Sequence, residues 1–137
     1  MAASYEQIEH TGDVGLRVRA DTLPELLAGA ARGMYEILVD APEVRAQREE
    51  EIVVEGEDDE LLRGWLAELL YRFSVDELIF VEFDIAVEAG RLRAKARGGV
   101  MDRARHGMRT ELKAVTYHGL SVRREGAGWI GEVIFDI

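Results

Sequence analysis

From Ile79 to Ala96 the chain alternates apolar and polar residues, turns once, and alternates again. Ile79, Val81, Phe83, Ile85 and Val87 lead out, Ala89-Gly90 marks the turn, and Leu92, Ala94 and Ala96 return. A period of two places one set of side chains on one side of a pleated strand. Two such runs joined by a short Gly-containing turn form an antiparallel hairpin. An apolar hairpin face has to be buried, so the remaining chain must supply its cover.

Two segments have the period for that cover. Leu23, Leu26, Leu27, Ala30, Ala31, Met34, Ile37 and Leu38 follow the i, i+3, i+4, i+7 rule of an amphipathic helix. Thr22 is its expected N-cap, with Pro24 in the first turn and Glu25 completing a capping box; Asp40-Ala41-Pro42 is the stop. Gly29 and Gly33 lie four apart, each costing about 1 kcal/mol relative to Ala, which points to a closely packed neighbour. The second helix carries Leu61, Leu62, Trp65, Leu66, Leu69, Leu70 and Phe73 on one face, with Asp58 and Asp59 as expected caps. Further strands are expected at residues 5–9, at Val14, Leu16, Val18 and Ala20, at 49–55, at 120–124 and at 129–137, the last two joined by Glu125-Gly126-Ala127-Gly128. Residues 101–115 read as a loop or short helical turn followed by an extended or helical piece toward Tyr117. The expected fold is a single two-layer α+β domain over residues 1–137, two main helices packed on a mainly antiparallel sheet.

The absence of cysteine removes disulfides, thiolate metal sites and cysteine catalysis together. No Walker A, G-x-S-x-G or strand-following G-x-G-x-x-G occurs, and His10, His106 and His118 are not at metal-ligand spacing on one helix. No apolar run reaches the 18 or so residues of a membrane span, and no basic-then-apolar leader opens the chain, so a cytoplasmic protein is expected. A formal net charge of −10 disfavours nonspecific nucleic-acid binding. The charge is uneven: Arg91, Arg93, Lys95, Arg97, Arg103, Arg105, Arg109 and Lys113 face only Asp102 and Glu111 within residues 91–113, a net +6. That run suits either a patch that orients a protein partner or a solvated strand facing water.

Two acidic positions remain. In His10-Thr11-Gly12-Asp13, four small or polar residues between strands fit a turn with Gly12 at positive φ. Asp136 is harder to place, because aspartate is depleted in strands and this one sits among Ile134, Phe135 and Ile137. A carboxylate so placed has to be paired, hydrogen-bonded or bound to a cation. If the last strand runs beside the first, Asp13 joins Asp136 and the carboxylate of Ile137 in an all-oxygen set suited to a hard divalent ion such as Ca²⁺ or Mg²⁺.

Taken together, HTGDVGLRV at the start, the two amphipathic helices, LKAVTYHGLSV at Leu112–Val122 and the terminal VIFDI resemble the archease family along the whole chain. That family usually reads H-T-A-D-I where this chain has Gly12 and Val14, changes that keep the carboxylate. The resemblance implies a small cytoplasmic accessory protein, not an enzyme, that serves an RtcB-type RNA ligase in tRNA splicing and RNA repair. Its implied role is to promote guanylylation of the ligase's active-site histidine and to support multiple turnover. RNA is then met only through the ligase, and no membrane is involved. The implied metal ligands are Asp13, Asp136 and Ile137, with Ca²⁺ favoured over Mg²⁺ or Mn²⁺. Lys113 matches a basic position of functional weight, and with His10 it is the expected contact to a partner or phosphate. Two other readings stand beside this one. One is a general chaperone-like modulator of RNA-modifying enzymes; the other is a small metal-dependent enzyme with His10 or His118 as base.

Overall fold

The computed structural model describes residues 3–10, 12–40, 43–103 and 106–137, with the backbone alone for residues 9 and 10. The described residues form eight strands and two helices in the order β1 (Ser4–His10), β2 (Asp13–Ala20), α1 (Leu23–Leu38), β3 (Arg48–Glu55), α2 (Asp58–Asp76), β4 (Leu78–Glu88), β5 (Arg91–Val100), β6 (Ala114–Val115), β7 (Ser121–Glu125) and β8 (Gly128–Asp136). The strands divide between two antiparallel sheets. One has the order β1-β2-β8-β6, with β7 also on β8; the other has the order β3-β5-β4. The expected α+β class, two helices packed on antiparallel strands, is the observed one.

Each helix touches both sheets. On α1, Thr22 Oγ1 accepts the Glu25 N–H at 3.2 Å, as the capping pattern requires. A Cβ added at Gly33 would come within 2.8 Å of Leu16 Cδ1 and 3.1 Å of Tyr5 Cδ2, and Gly29 lies under Ala3 and Val18. The two glycines therefore let α1 settle onto β1 and β2, a gain that offsets their helix penalty. Another side of α1 meets the second sheet, where the Arg32 guanidinium stands 5.5 Å from the Phe83 ring centre. On α2, Leu62 reaches Gly131 of β8, while Trp65 meets Phe83 edge-on at 5.7 Å and donates its indole N–H to the Leu27 carbonyl at 2.8 Å. The α2 cap is Glu57 rather than Asp58: its N–H donates to Glu60 Oε1 at 2.9 Å, and the two aspartates occupy the first turn, where they favour the helix dipole.

The hairpin forms with Ala89 at φ 50° and Gly90 at φ 75°, the pair of positive angles that a two-residue turn needs to match strand twist. Its outgoing strand departs from clean alternation. Leu78, Ile79 and Phe80 are all buried, and a bulge between Phe80 and Glu82 resets the phase so that Phe83, Ile85 and Val87 pack on the core.

Residues 107–110 carry neither period because they are ordered by bonds to the end of α1. The Arg109 N–H donates to the Leu38 carbonyl (2.9 Å), Thr110 N–H to Ile37 (3.1 Å) and Arg109 Nη1 to Glu36 (2.9 Å), which satisfies the carbonyls left open at the end of α1. Val39 bridges Met108, and the extended piece reduces to the two residues of β6. Ala41 and Pro42, expected as the helix stop, lie outside the described residues. No helix among the described residues is long and apolar enough to cross a membrane.

Candidate functional site

The pairing of β2 with β8 meets the condition that would bring the two aspartates together. Asp13 sits directly opposite Asp136, His10 opposite Asp13, and Ala114 opposite Asp136, so four strands contribute to one row at one end of the sheet. Directly opposed residues of an antiparallel pair point to the same face with Cβ atoms about 4.5–5.5 Å apart. Val14, Leu16 and Val18 of β2 and Val133 and Phe135 of β8 are buried, so Asp13 and Asp136 project from the opposite, outer face. Gly12 at φ 75° makes the turn that delivers Asp13. Asp13 is half-buried, Asp136 exposed, and Ile137, one residue past the strand, is 48% exposed.

The donor chemistry fits a hard cation only in part. Two like charges directly opposed are unfavourable unless something positive lies between them. Among the described residues no set of three His, Asp or Glu side chains converges, so the two aspartates do not make a site of three such side chains. A Ca²⁺ ion takes six to eight oxygens. Such a site leaves most coordination positions to water or to a partner.

Lys113 is fastened beside the row. Its N–H donates to the Asp136 carbonyl at 2.8 Å while its side chain is exposed. The surrounding motif is a strap along β8: Leu112 and Val115 are buried, and Thr116 uses both its N–H and Oγ1 on the Ile134 carbonyl at 3.0 Å each. The side chain of His10, and Thr11 entirely, lie outside the described residues. His106 is buried, with Nδ1 accepting the Asp102 N–H at 3.0 Å and Nε2 donating to the Glu43 carbonyl at 2.7 Å; it holds a loop and presents no free nitrogen. The backbone of His118 joins the strap by donating its N–H to Thr116 Oγ1 at 3.2 Å.

The basic run dissolves as a patch. β5 is the central strand of its sheet, and three of its four cations stand in register with acids on both sides: Arg91 opposite Glu55 and Glu88, Lys95 opposite Glu51 and Asp84, Arg97 opposite Glu49 and Glu82, while Arg93 stands opposite Val53 and Ala86. Arg97 bonds Glu82 at 3.0 Å and Glu49 at 3.2 Å, and those hydrogen bonds raise its guanidinium pKa further. Arg103 pairs with Glu77 at 2.7 Å, Arg109 caps α1, and Arg105 lies outside the described residues. For β5 the solvated-face reading is the correct one, because cross-strand pairing, invisible to a count along the chain, cancels the charge. Lys113 is the member of the run tied to the acidic row. Sequence periodicity gave no weight to Arg63, whose guanidinium lies 4.1 Å from the ring centre of exposed Tyr117; an aromatic within a polar loop motif was the available signal.

Comparisons with known proteins agree along the chain. Residues 5–137 match the model of the archease protein family. The chain is 40% identical to the protein archease of Methanopyrus kandleri, with 97% of this chain and 99% of that one covered. Its fold is similar to the solution structure of Protein 1598 of Methanobacterium thermoautotrophicum, at a TM-score of 0.84 and 28% identity over 97% of this chain and 98% of that one. It is also similar to a Thermotoga maritima crystal structure described as an archease, possible chaperone. That match has a TM-score of 0.66 at 22% identity and covers 96% of each chain, a likeness of fold.

Proposed function

The chain belongs to the archease family, and on that premise we propose that it is an accessory protein that activates an RtcB-type RNA ligase in the cytoplasm. In this reading it promotes guanylylation of the ligase's active-site histidine and sustains multiple turnover in tRNA splicing and RNA repair. The observation that carries the reading is the row in which Asp13 opposes Asp136 while the Lys113 backbone is bonded to Asp136. Asp13, Asp136 and Ile137 would hold a divalent metal, Ca²⁺ in preference to Mg²⁺ or Mn²⁺, through oxygen alone. When bound, the ion would supply positive charge beside the two carboxylates and open positions that a partner's oxygens can fill. Lys113, with His10, would meet a partner carboxylate or a phosphate. The description of the Thermotoga protein as a possible chaperone fits the same kind of role, an acidic protein acting on a partner's state.

The test is ligation of RNA ends by purified ligase at limiting concentration, with and without this protein. Stimulated multiple turnover, lost in Asp13→Ala and Asp136→Ala variants that keep the wild-type circular dichroism spectrum, is the expected result. Ligase turnover unchanged by the wild-type protein, or RNA processing by this protein alone, would refute it.

A further inference from the structure

Lys113 reaches the acidic row through an irregularity in its strand. Leu112 and Val115 are both buried although they lie three residues apart, and the two residues between them, Lys113 and Ala114, are both exposed. Regular alternation from Val115 would put Lys113 on the buried side of β6. The register partner of Asp136 is Ala114, yet the N–H that donates to the Asp136 carbonyl, at 2.8 Å, is that of Lys113. Two residues of the strap thus oppose one of β8, which is the arrangement of a bulge and the means by which a strand re-aims a side chain.

A strand of two residues leaves its register to whatever flanks it, and a slip of one residue would expose Val115 and carry Lys113 off Asp136. The flank is Thr116. On the edge of β8 away from β2, β7 covers residues 128–132 and β6 covers Phe135 and Asp136, so Val133 and Ile134 fall between the two short strands. Thr116 fills that gap: its N–H and its Oγ1–H both donate to the Ile134 carbonyl at 3.0 Å. The same oxygen accepts the His118 N–H at 3.2 Å, and Gly119 at φ 63° then turns the chain toward β7. A one-residue slip would turn the hydroxyl to the other side of the strap, so these bonds belong to one register. We propose that Thr116 is a positioning residue, whose hydroxyl locks the register that sets Lys113 on Asp136; this rests on the ligase reading above, in which Lys113 meets an anionic group of the ligase. Thr116 touches neither the acidic row nor the partner and acts only through the lysine.

Thr116→Val keeps the shape and removes the hydroxyl, whereas Thr116→Ser keeps the hydroxyl and removes the methyl. Amide hydrogen exchange on the metal-free protein reads the lock with no ligase present. The Lys113 amide should exchange about tenfold faster in Thr116→Val than in wild type, the weight of about one hydrogen bond, and within about twofold of wild type in Thr116→Ser. Ligation assays read the consequence. Thr116→Val and Lys113→Ala should each lose stimulation, and combining them should cost nothing beyond Lys113→Ala alone, because a residue that acts through the lysine then has nothing left to position. Thr116→Ser should stimulate as wild type does. An unchanged Lys113 amide in Thr116→Val, undiminished stimulation by that variant, additive losses in the double variant, or loss of the folded circular dichroism spectrum in Thr116→Val would each overturn the lock and leave the ligase reading standing. Wild-type protein that fails to stimulate the ligase overturns both.

Discussion

Replacing Asp136 with Asn should change the protein's stability in opposite directions with and without metal. Asp136 opposes Asp13 in register, so their Cβ atoms lie roughly 5 Å apart, and that spacing serves as the scale for their charges. At that distance two unit charges repel by about 0.8 kcal/mol in water and by about 3 kcal/mol at the effective dielectric of a protein surface. Asp136 is exposed, which puts the pair near the watery limit and open to screening by salt. Removing one charge should therefore stabilise the metal-free protein by about 0.5–1 kcal/mol, or about 2–4 °C in midpoint for a chain of this size. Ca²⁺ at a hundred times its Kd adds about 2.7 kcal/mol to a protein that binds it only when folded. The wild type should collect that gain in full and the variant, short of one ligand, only part of it. The order of stability should thus invert between chelator and calcium in matched urea unfolding series. A variant much less stable than wild type in chelator would refute the repulsion argument, since the carboxylate would then be holding the fold together. Identical curves for both proteins with and without Ca²⁺ would refute the metal.

Gly98→Ala should be among the most damaging small substitutions, because a Cβ there would meet the Ile79 carbonyl and come within 2.6 Å of the Phe80 Cα at the bulge; a loss of about 3 kcal/mol or more in denaturant unfolding is expected. The Tyr5 hydroxyl, pushed up to about 12 by burial and then by its hydrogen bond to Glu36, should ionise late. The difference in tyrosinate absorbance between wild type and Tyr5→Phe should rise near pH 12. Its contribution to stability is complete below the ordinary tyrosine value near 10 and lost between pH 10 and 12, so the alkaline fall in stability over that window should be shallower in Tyr5→Phe. Lys113→Glu should cut ligase stimulation at least tenfold while calcium affinity is kept or raised, since it adds a carboxylate beside the row; undiminished stimulation would assign Lys113 to a solvated surface.

What the sequence disclosed was what periodicity encodes. The α1 stripe, its Thr22 cap and the paired glycines turned up as read, because one face of a helix is written into its own residues. The approach of Asp13 to Asp136 was legible as a condition, since both flank apolar alternating runs that have to bury the same kind of face. Three things were not legible. The division of strands into two sheets depends on which edges meet across the helices, and no local pattern carries that. The placement of Arg109 and Thr110 comes from bonds to carbonyls of α1 more than sixty residues away. The balance of charge on β5 depends on Glu49, Glu51 and Glu55 on one side and Glu82, Asp84 and Glu88 on the other, which only the register reveals.

The most direct measurement is calorimetric Ca²⁺ titration of four proteins: wild type, Asp13→Ala, Asp136→Ala, and a chain extended by a few residues after Ile137. The extension converts the Ile137 carboxylate into a neutral amide, whose carbonyl can still reach a calcium ion. One site in the wild type, none in either aspartate variant and a weakened site in the extended chain is the predicted pattern. Equal affinities in all four, or no binding by the wild type at millimolar Ca²⁺, would contradict a metal held by Asp13, Asp136 and Ile137.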